Sequence, residues 1–338
     1  MNKPRAQRES IDGVLLIDKP FGMSSNDALI RVRSLLNARK AGHGGTLDPL
    51  ATGLLPIAFG EATKFAADAL DADKQYLTEL TLGIVTDSGD AEGEVIRRSP
   101  VAVTPEQFGQ TLREFLGQIE QVPPMHSALK RAGRPLYEYA RAGVRLERES
   151  RTVQVDSLEL IDINPAPGLP IGDPGSLRAR IRVSCSKGTY IRTLAQDIGD
   201  KLGCGAHVSA LRRERVGALL VNDALSLEQL EAMALAQRLA SLAPVDLMLA
   251  SLHRTELDET YARRFLHGQR LRIAPAVDHP SATTRRERVR VYFRGALLGV
   301  ATIDDGVLVP FRLIGSAPAI GDEHKKPHFF PEQTGQAR

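Results

Sequence analysis

His43-Gly44-Gly45-Thr46-Leu47-Asp48-Pro49-Leu50-Ala51-Thr52-Gly53 sets one carboxylate in a glycine-rich loop between apolar elements. Pro49 biases the backbone of Asp48 towards extended values, while Gly44 and Gly45 allow a sharp bend and close approach of a ligand. Asp48 is therefore a candidate nucleophile held on a stiff turn. The competing reading of the same residues is a helix start, with Asp48 as cap and Pro49 in the first helical position.

Around this loop the chain alternates strand-like and helix-like segments. Val14 to Ile17 reads as a buried strand, and Leu29, Val32, Leu35 and Leu36 recur at helical spacing from Ser25 onward. Tyr76 to Val85 reads as a strand. Thr104 and Gln107 have capping-box spacing before Phe108, Leu112, Phe115 and Leu116. Thr152 to Ile163 supplies another strand. In the next, Ala179, Ile181, Val183 and Cys185 alternate with Arg178, Arg180 and Arg182. The Pro- and Gly-rich stretch 164–176 between them reads as a surface insertion. Thr189 to Leu202 is helical, with Gly203 as its stop, and a helix from Ser226 ends near Pro244. Beyond about residue 250 a helix around Tyr261 to His267 precedes strand-like runs at Arg288 to Phe293, Leu297 to Ile303 and Val307 to Ile314, the pattern of a small β-rich module.

A chain of 338 residues favours one large domain plus a smaller one. The expected division is a mobile tail at 1–10, a catalytic domain at 11–248, a β-rich domain at 249–315 and a disordered tail at 316–338. Cys185 and Cys204 form no CxxC pair, which suits a reducing cytoplasmic compartment. No apolar run approaches a membrane span, and the first ten residues lack a signal-peptide core. The net charge is only +3, but its distribution is uneven. Between His126 and Arg151, Lys130, Arg131, Arg134, Arg141, Arg145, Arg148 and Arg151 face only Glu138, Glu147 and Glu149. Arg31, Arg33, Arg39 and Lys40 form a second group, and Arg263, Arg264, Arg270 and Arg272 a third. Clustered bases suit a polyanionic partner; a solvated basic face is the alternative. Residues 124–151 show no clean periodicity and read as a large basic functional loop with short helical pieces.

Several long motifs in one order closely resemble the TruB family, the bacterial tRNA pseudouridine-55 synthases. They are Gly13-Val14-Leu15-Leu16-Ile17-Asp18-Lys19-Pro20-Phe21-Gly22-Met23-Ser24-Ser25, the Asp48 loop, Lys74-Gln75-Tyr76, Pro123-Pro124-Met125-His126-Ser127-Ala128-Leu129-Lys130, Lys187-Gly188-Thr189-Tyr190-Ile191-Arg192-Thr193, Leu202-Gly203-Cys204-Gly205-Ala206-His207-Val208 and Leu211-Arg212-Arg213. The resemblance implies an α+β fold, a mixed-sheet catalytic domain with 124–151 as a basic RNA-binding loop, followed by a small PUA-like RNA-binding domain. It implies an isomerase that flips the uridine of the tRNA T-loop out of its stack, breaks its glycosidic bond, turns the uracil and rejoins it through carbon.

The same resemblance assigns the covalent role to Asp48, which could attack the sugar or the base or assist glycal formation. It pairs Arg192 with that carboxylate, gives substrate contact to Tyr190, places His43 in the space left by the flipped nucleotide, and lines the uracil pocket with Leu211. Tyr76 offers a flat face for stacking on uracil and a phenol that could assist proton removal. Each has a plainer reading: an exposed helix arginine for Arg192, core packing for Tyr76, Tyr190 and Leu211, an ordinary loop histidine for His43. Lys19, Lys64, Asp87 and Asp90 lie in matching segments but are left outside the core site, because structural roles explain them equally well.

The glycine clusters lack the strand-turn-helix context of a dinucleotide site, no GxxxxGK[ST] occurs, and His324 and His328 lie in the polar tail without an acidic partner. No HExxH or cysteine cluster occurs, so no metal is expected, and the implied reaction is redox-neutral and needs no cofactor. The expected partner is the tRNA T-arm, with no membrane, no obligate protein partner and a monomeric state. Two rivals stand beside this reading. A non-catalytic tRNA-remodelling protein would not need Asp48, Tyr76 and Arg192 together, and a nucleoside glycosidase would need a second catalytic acid.

Overall fold

A computed structural model describes residues 8–127, 129–144, 146–170, 172–273 and 287–315. Arg145, most of the expected N-terminal tail and the whole of 316–338, including His324 and His328, lie outside the described residues. The chain divides into two compact units between Ser251 and Leu252.

The first unit is built on a ten-stranded mixed sheet. Its strands run in the spatial order Leu225–Ser226, Gly13–Lys19, Ala51–Phe59, Ala206–Val216, Lys74–Leu82, Leu177–Cys185, Arg151–Pro165 and Gly117–Gln121. Ala41–His43 adds to Ala51–Phe59, and Leu219–Leu220 adds to Ala206–Val216. Val14, Leu15, Leu16 and Ile17 are all buried, as a continuous apolar run requires of a strand covered on both faces. Leu177–Cys185 instead alternates. Ala179, Ile181, Val183 and Cys185 enter the core, while Arg178, Arg180 and Arg182 pair with Glu79, Asp162 and Glu159 on the neighbouring strands and with Glu214 one strand further on.

Two apolar clusters flank this sheet. One joins Leu80, Ile181 and Val183 to Phe108 and Leu112 of the helix Pro105–Arg113 and to Leu194 and Ile198 of the helix Ile191–Lys201. The other joins Ile17, Ile57 and Phe59 to Ala28 and Val32 of the helix Ser25–Leu35 and to Leu230. Each buried side chain of this size contributes about 1.5–3 kcal/mol relative to exposure. The capping box expected at Thr104 and Gln107 is formed.

Several expectations need correction. The strand read through Val85 ends at Leu82, because Gly83 takes φ +82° and Ile84–Thr86 leaves to form a separate hairpin with Val95–Arg98. The helix expected from Ser226 to near Pro244 is two helices, Leu227–Ala232 and Leu235–Ala240, because Met233 and Ala234 are extended and a second cap forms at Ala234 and Gln237. Asp48 caps no helix; the loop passes through a bend into Ala51–Phe59. The 164–176 insertion is anchored rather than wholly superficial, with Ala166 and Ser176 buried at its base and bonded through Ala166 N–H to the Ser176 carbonyl. Within 124–151 lie a two-residue hairpin, Lys130–Arg131 with Arg134–Pro135, and one short helix, Leu136–Arg141.

The second unit is a five-stranded sheet in the order His253–Glu256, Glu287–Phe293, Ala296–Asp304, Val307–Leu313 and Leu271–Arg272. The helix Glu259–Leu266, capped by Asp258, packs Ala262 and Phe265 into its core beside Val289, Val291 and Leu308.

Candidate active site

Asp48 is clamped on both sides by the segment that follows the first strand. The buried Ser25 hydroxyl accepts from Leu47 N–H at 2.7 Å and donates to the Leu47 carbonyl at 3.0 Å. Gly22 N–H donates to the Pro49 carbonyl at 2.8 Å, and Gly22 takes φ +77°, a turn that glycine makes without strain. Leu47 and Leu50 are buried. These contacts fix the backbone around a carboxylate that is itself 39% exposed, reachable from solvent but immobile at its root.

Arg192 supplies the cation. It is the second residue of the helix Ile191–Lys201, with its side chain only 8% exposed, which excludes the exposed-arginine reading. One terminal nitrogen, Nη2, lies 3.0 Å from Asp48 Oδ2 and donates to the His126 carbonyl; the other, Nη1, lies 3.1 Å from Asp90 Oδ2 and donates to the Ser88 carbonyl at 3.2 Å. The planar fork thus joins two carboxylates and two carbonyls, a geometry an ammonium cannot reproduce. Asp90 is 3% exposed, and its other oxygen accepts from Ser88 Oγ and Glu92 N–H.

Burial pushes the Asp48 carboxyl above its ordinary value. Arg192 pulls it back, Asp90 pushes it further up, and Lys19 and His126 oppose. Lys19 has no exposure, donates to the Pro20 and Met23 carbonyls, and is pushed down to about 8, mainly by burial. The site therefore balances one open carboxylate between two cations and a second, closed carboxylate. Glu92 adds a carboxyl raised by burial and by both aspartates.

Of the other expected residues, Tyr76 and Tyr190 lie within reach of the Asp48 charge, and Leu211 and His43 sit on strands that pair with Ala51–Phe59. Tyr76 lies on Lys74–Leu82 opposite Arg213, and burial raises its phenol. Leu211 lies two residues earlier on that partner strand, in register with Ala51 and Thr78, and packs against the main core. Tyr190 immediately precedes the arginine helix. Its N–H donates to Gln121 Oε1, its ring lies 5.9 Å from the Arg151 guanidinium, and Arg192 and Asp48 both act on its phenol. His43 ends the strand Ala41–His43; burial first, then Arg213, lowers its pKa. Asp90, Lys19 and Ser25 complete the site, although sequence reasoning set the first two aside and gave Ser25 no role. The available signal for Lys19 and Ser25 was their shared motif at 13–25, and for Asp90 only its place in a matching segment. Among the described residues no group of three or more His, Cys, Asp or Glu side chains could hold a metal ion, and no helix is long and apolar enough to cross a membrane.

Comparison with known proteins finds relatives along most of the chain. Residues 33–191 match the family described as TruB family pseudouridylate synthase (N terminal domain). Residues 192–267 match the tRNA pseudouridylate synthase B C-terminal domain, and 254–314 match pseudouridine synthase II TruB, C-terminal. The proteins named tRNA pseudouridine synthase B from Ralstonia pickettii (strain 12J) and Ralstonia nicotianae (strain ATCC BAA-1114 / GMI1000) are 54% and 55% identical to it. They cover 92% and 91% of this chain, and 98% and 95% of their own length. A solved chain of a Cbf5–Nop10–Gar1 complex superposes with a TM-score of 0.64 at 24% identity, over 89% of this chain and 84% of that one, a likeness of fold. With family models matched from residue 33 to 314 and a relative 54% identical over 92% of its length, the chain belongs to the TruB family of pseudouridylate synthases.

Proposed function

We propose that this enzyme converts uridine 55 in the T-loop of tRNA to pseudouridine, acting on a base flipped out of its stack. The N1–C1′ bond breaks, the C5–C1′ bond forms, the C5 proton leaves and a proton reaches N1, so substrate and product are isomers and no oxidant is consumed. Asp48 is the covalent residue, kept ionised and aimed by Arg192. Tyr76 and Leu211, from neighbouring strands, line the uracil pocket, Tyr190 contacts the substrate, and His43 occupies the space vacated by the base. The first unit carries the chemistry, and the PUA-like second unit and the basic 124–151 segment grip the T-arm. Lys130, Arg131, Arg134 and Arg141 are all exposed for that role. The enzyme works as a cytoplasmic monomer; two buried free thiols suit a reducing compartment.

The observation that carries this reading is the half-open Asp48 carboxylate held 3.0 Å from a buried guanidinium that is anchored in turn on a closed carboxylate. Asp48→Asn keeps the shape and removes the nucleophilic charge. Incubation with unmodified tRNA, followed by mapping of pseudouridine, should show product at the T-loop for the wild type and none for the variant, with tRNA binding little changed. Residual turnover above about a few per cent would refute the nucleophile assignment.

A further inference from the structure

Arg213 is among the largest fully buried side chains, with 1% exposure, so it cannot serve as a phosphate-gripping arginine. Among the described residues no carboxylate pairs with it, which leaves hydrogen bonds to offset the desolvation of its charge. Nε donates to the Leu54 carbonyl at 2.8 Å, Nη1 to the Thr46 carbonyl at 3.3 Å and Nη2 to the Gly45 carbonyl at 3.2 Å. Three of its five N–H groups are thereby engaged with backbone carbonyls.

Its position follows from register. Arg213 lies on Ala206–Val216, directly between Gly53 on one side and Tyr76 on the other. The adjacent Arg212 makes a two-pronged ion pair with Asp18 instead, as alternation along a strand directs. Two glycines of the Asp48 loop make room for it. A Cβ at Gly53 (φ +101°) would fall 2.3 Å from the Arg213 carbonyl oxygen. A Cβ at Gly45 (φ +133°) would fall 3.2 Å from Nη1. One residue thus ties the loop that carries Asp48, two and three residues before that residue, to the strand on which Tyr76 lies beside it.

We infer that Arg213 is a positioning residue for the isomerisation, fixing the Asp48 loop against the strand that carries Tyr76 through its three carbonyl contacts and its register. This rests on the function proposed above. It assigns a role to a side chain that cannot itself touch the substrate, and it predicts loss of turnover without loss of RNA affinity, because misplacement by about 1 Å costs about 100-fold in rate.

The test compares full-length wild type, Arg213→Lys and Gly45→Ala, the last pressing on Nη1 from the opposite side. Single-turnover pseudouridine formation on unmodified tRNA at saturating enzyme is measured beside tRNA binding, and circular dichroism reports the folded fraction at the assay temperature. The expected result is a fall of about 100-fold in rate in folded protein, with the dissociation constant within about twofold of wild type. A folded variant that keeps wild-type turnover, or a loss that follows tRNA affinity or the folded fraction, overturns the inference. Should Arg213→Lys fail to fold, Gly45→Ala carries the same test. A wild type that makes no pseudouridine would overturn the proposed function itself, an outcome distinct from wild-type activity retained in the variants.

Discussion

Replacing Arg192 by methionine removes the charge that two carboxylates share, and the two are affected differently. Asp48 is 39% exposed and water can solvate it, whereas Asp90, at 3% exposure, keeps only the Ser88 hydroxyl and the Glu92 N–H. Removing one partner of a buried ion pair costs about 3–5 kcal/mol, mostly through the stranded charge. For a folding unit of this size, each kcal/mol moves the thermal midpoint by about 2–4 °C, so a fall of about 6–20 °C is expected. Asp90→Asn in the Arg192→Met background removes the stranded charge and should recover at least about 1.5 kcal/mol, the sign of coupling that a double-mutant cycle detects. Activity should not return with stability, because Asp48 still lacks its aiming cation. Calorimetry on wild type, both single variants and the double variant, with single-turnover assays of each, checks both halves. A destabilisation below about 1 kcal/mol for Arg192→Met, or additive effects of the two substitutions, would show that this pair is not the buried linkage described.

Burial raises the Asp48 carboxyl, so under the proposed role, in which the ionised form reacts, the rate at saturating tRNA should fall with decreasing pH while still above the ordinary aspartate range of about 4. Lys19→Met, which removes a cation favouring the ionised form, should move that acid limb to higher pH; an unmoved limb in a folded variant counts against Lys19 as an electrostatic partner. Cys185, buried and pushed up to about 12, should resist a thiol reagent at pH 8 in the native enzyme and react in denaturant. Rapid native labelling would contradict its burial. Lys130→Ala with Arg141→Ala, both at exposed positions, should flatten the dependence of log K on log salt for tRNA by about 1–2, roughly one unit for each phosphate that is no longer neutralised. An unchanged slope would make this stretch a solvated face.

Legibility from the sequence followed the range of the interactions. Val14 to Ile17, the Ser25–Leu35 helix, the Thr104 capping box and the alternating Arg178–Cys185 strand were readable because burial period and caps are local signals. The break at Met233 and Ala234 was missed because both residues are acceptable in a helix and the second cap uses an alanine, which announces nothing. In the site, Asp48 stood out through its glycines and proline, and Arg192 through its motif. Asp90 did not, since its partner lies 102 residues away and the intervening sequence carries no trace of their meeting. Ser25 was quoted within a motif, yet its bonds to Leu47 span 22 residues and depend on how the first helix lies against the loop.

The placement of Ala206–Val216 between Ala51–Phe59 and Lys74–Leu82 bears on how the enzyme is made at the ribosome. Both flanking strands leave the exit tunnel well before the one that joins them, so until about residue 216 has emerged each presents an unpaired edge to other chains. Arg213 and Leu211 arrive with that last strand, and Arg192 only shortly before it. A growing chain therefore holds Asp48 and Tyr76 for well over a hundred residues of synthesis without the groups that organise them. Closure across so long a separation is entropically slow, and catalytic competence begins with the insertion of one strand rather than growing gradually along the chain.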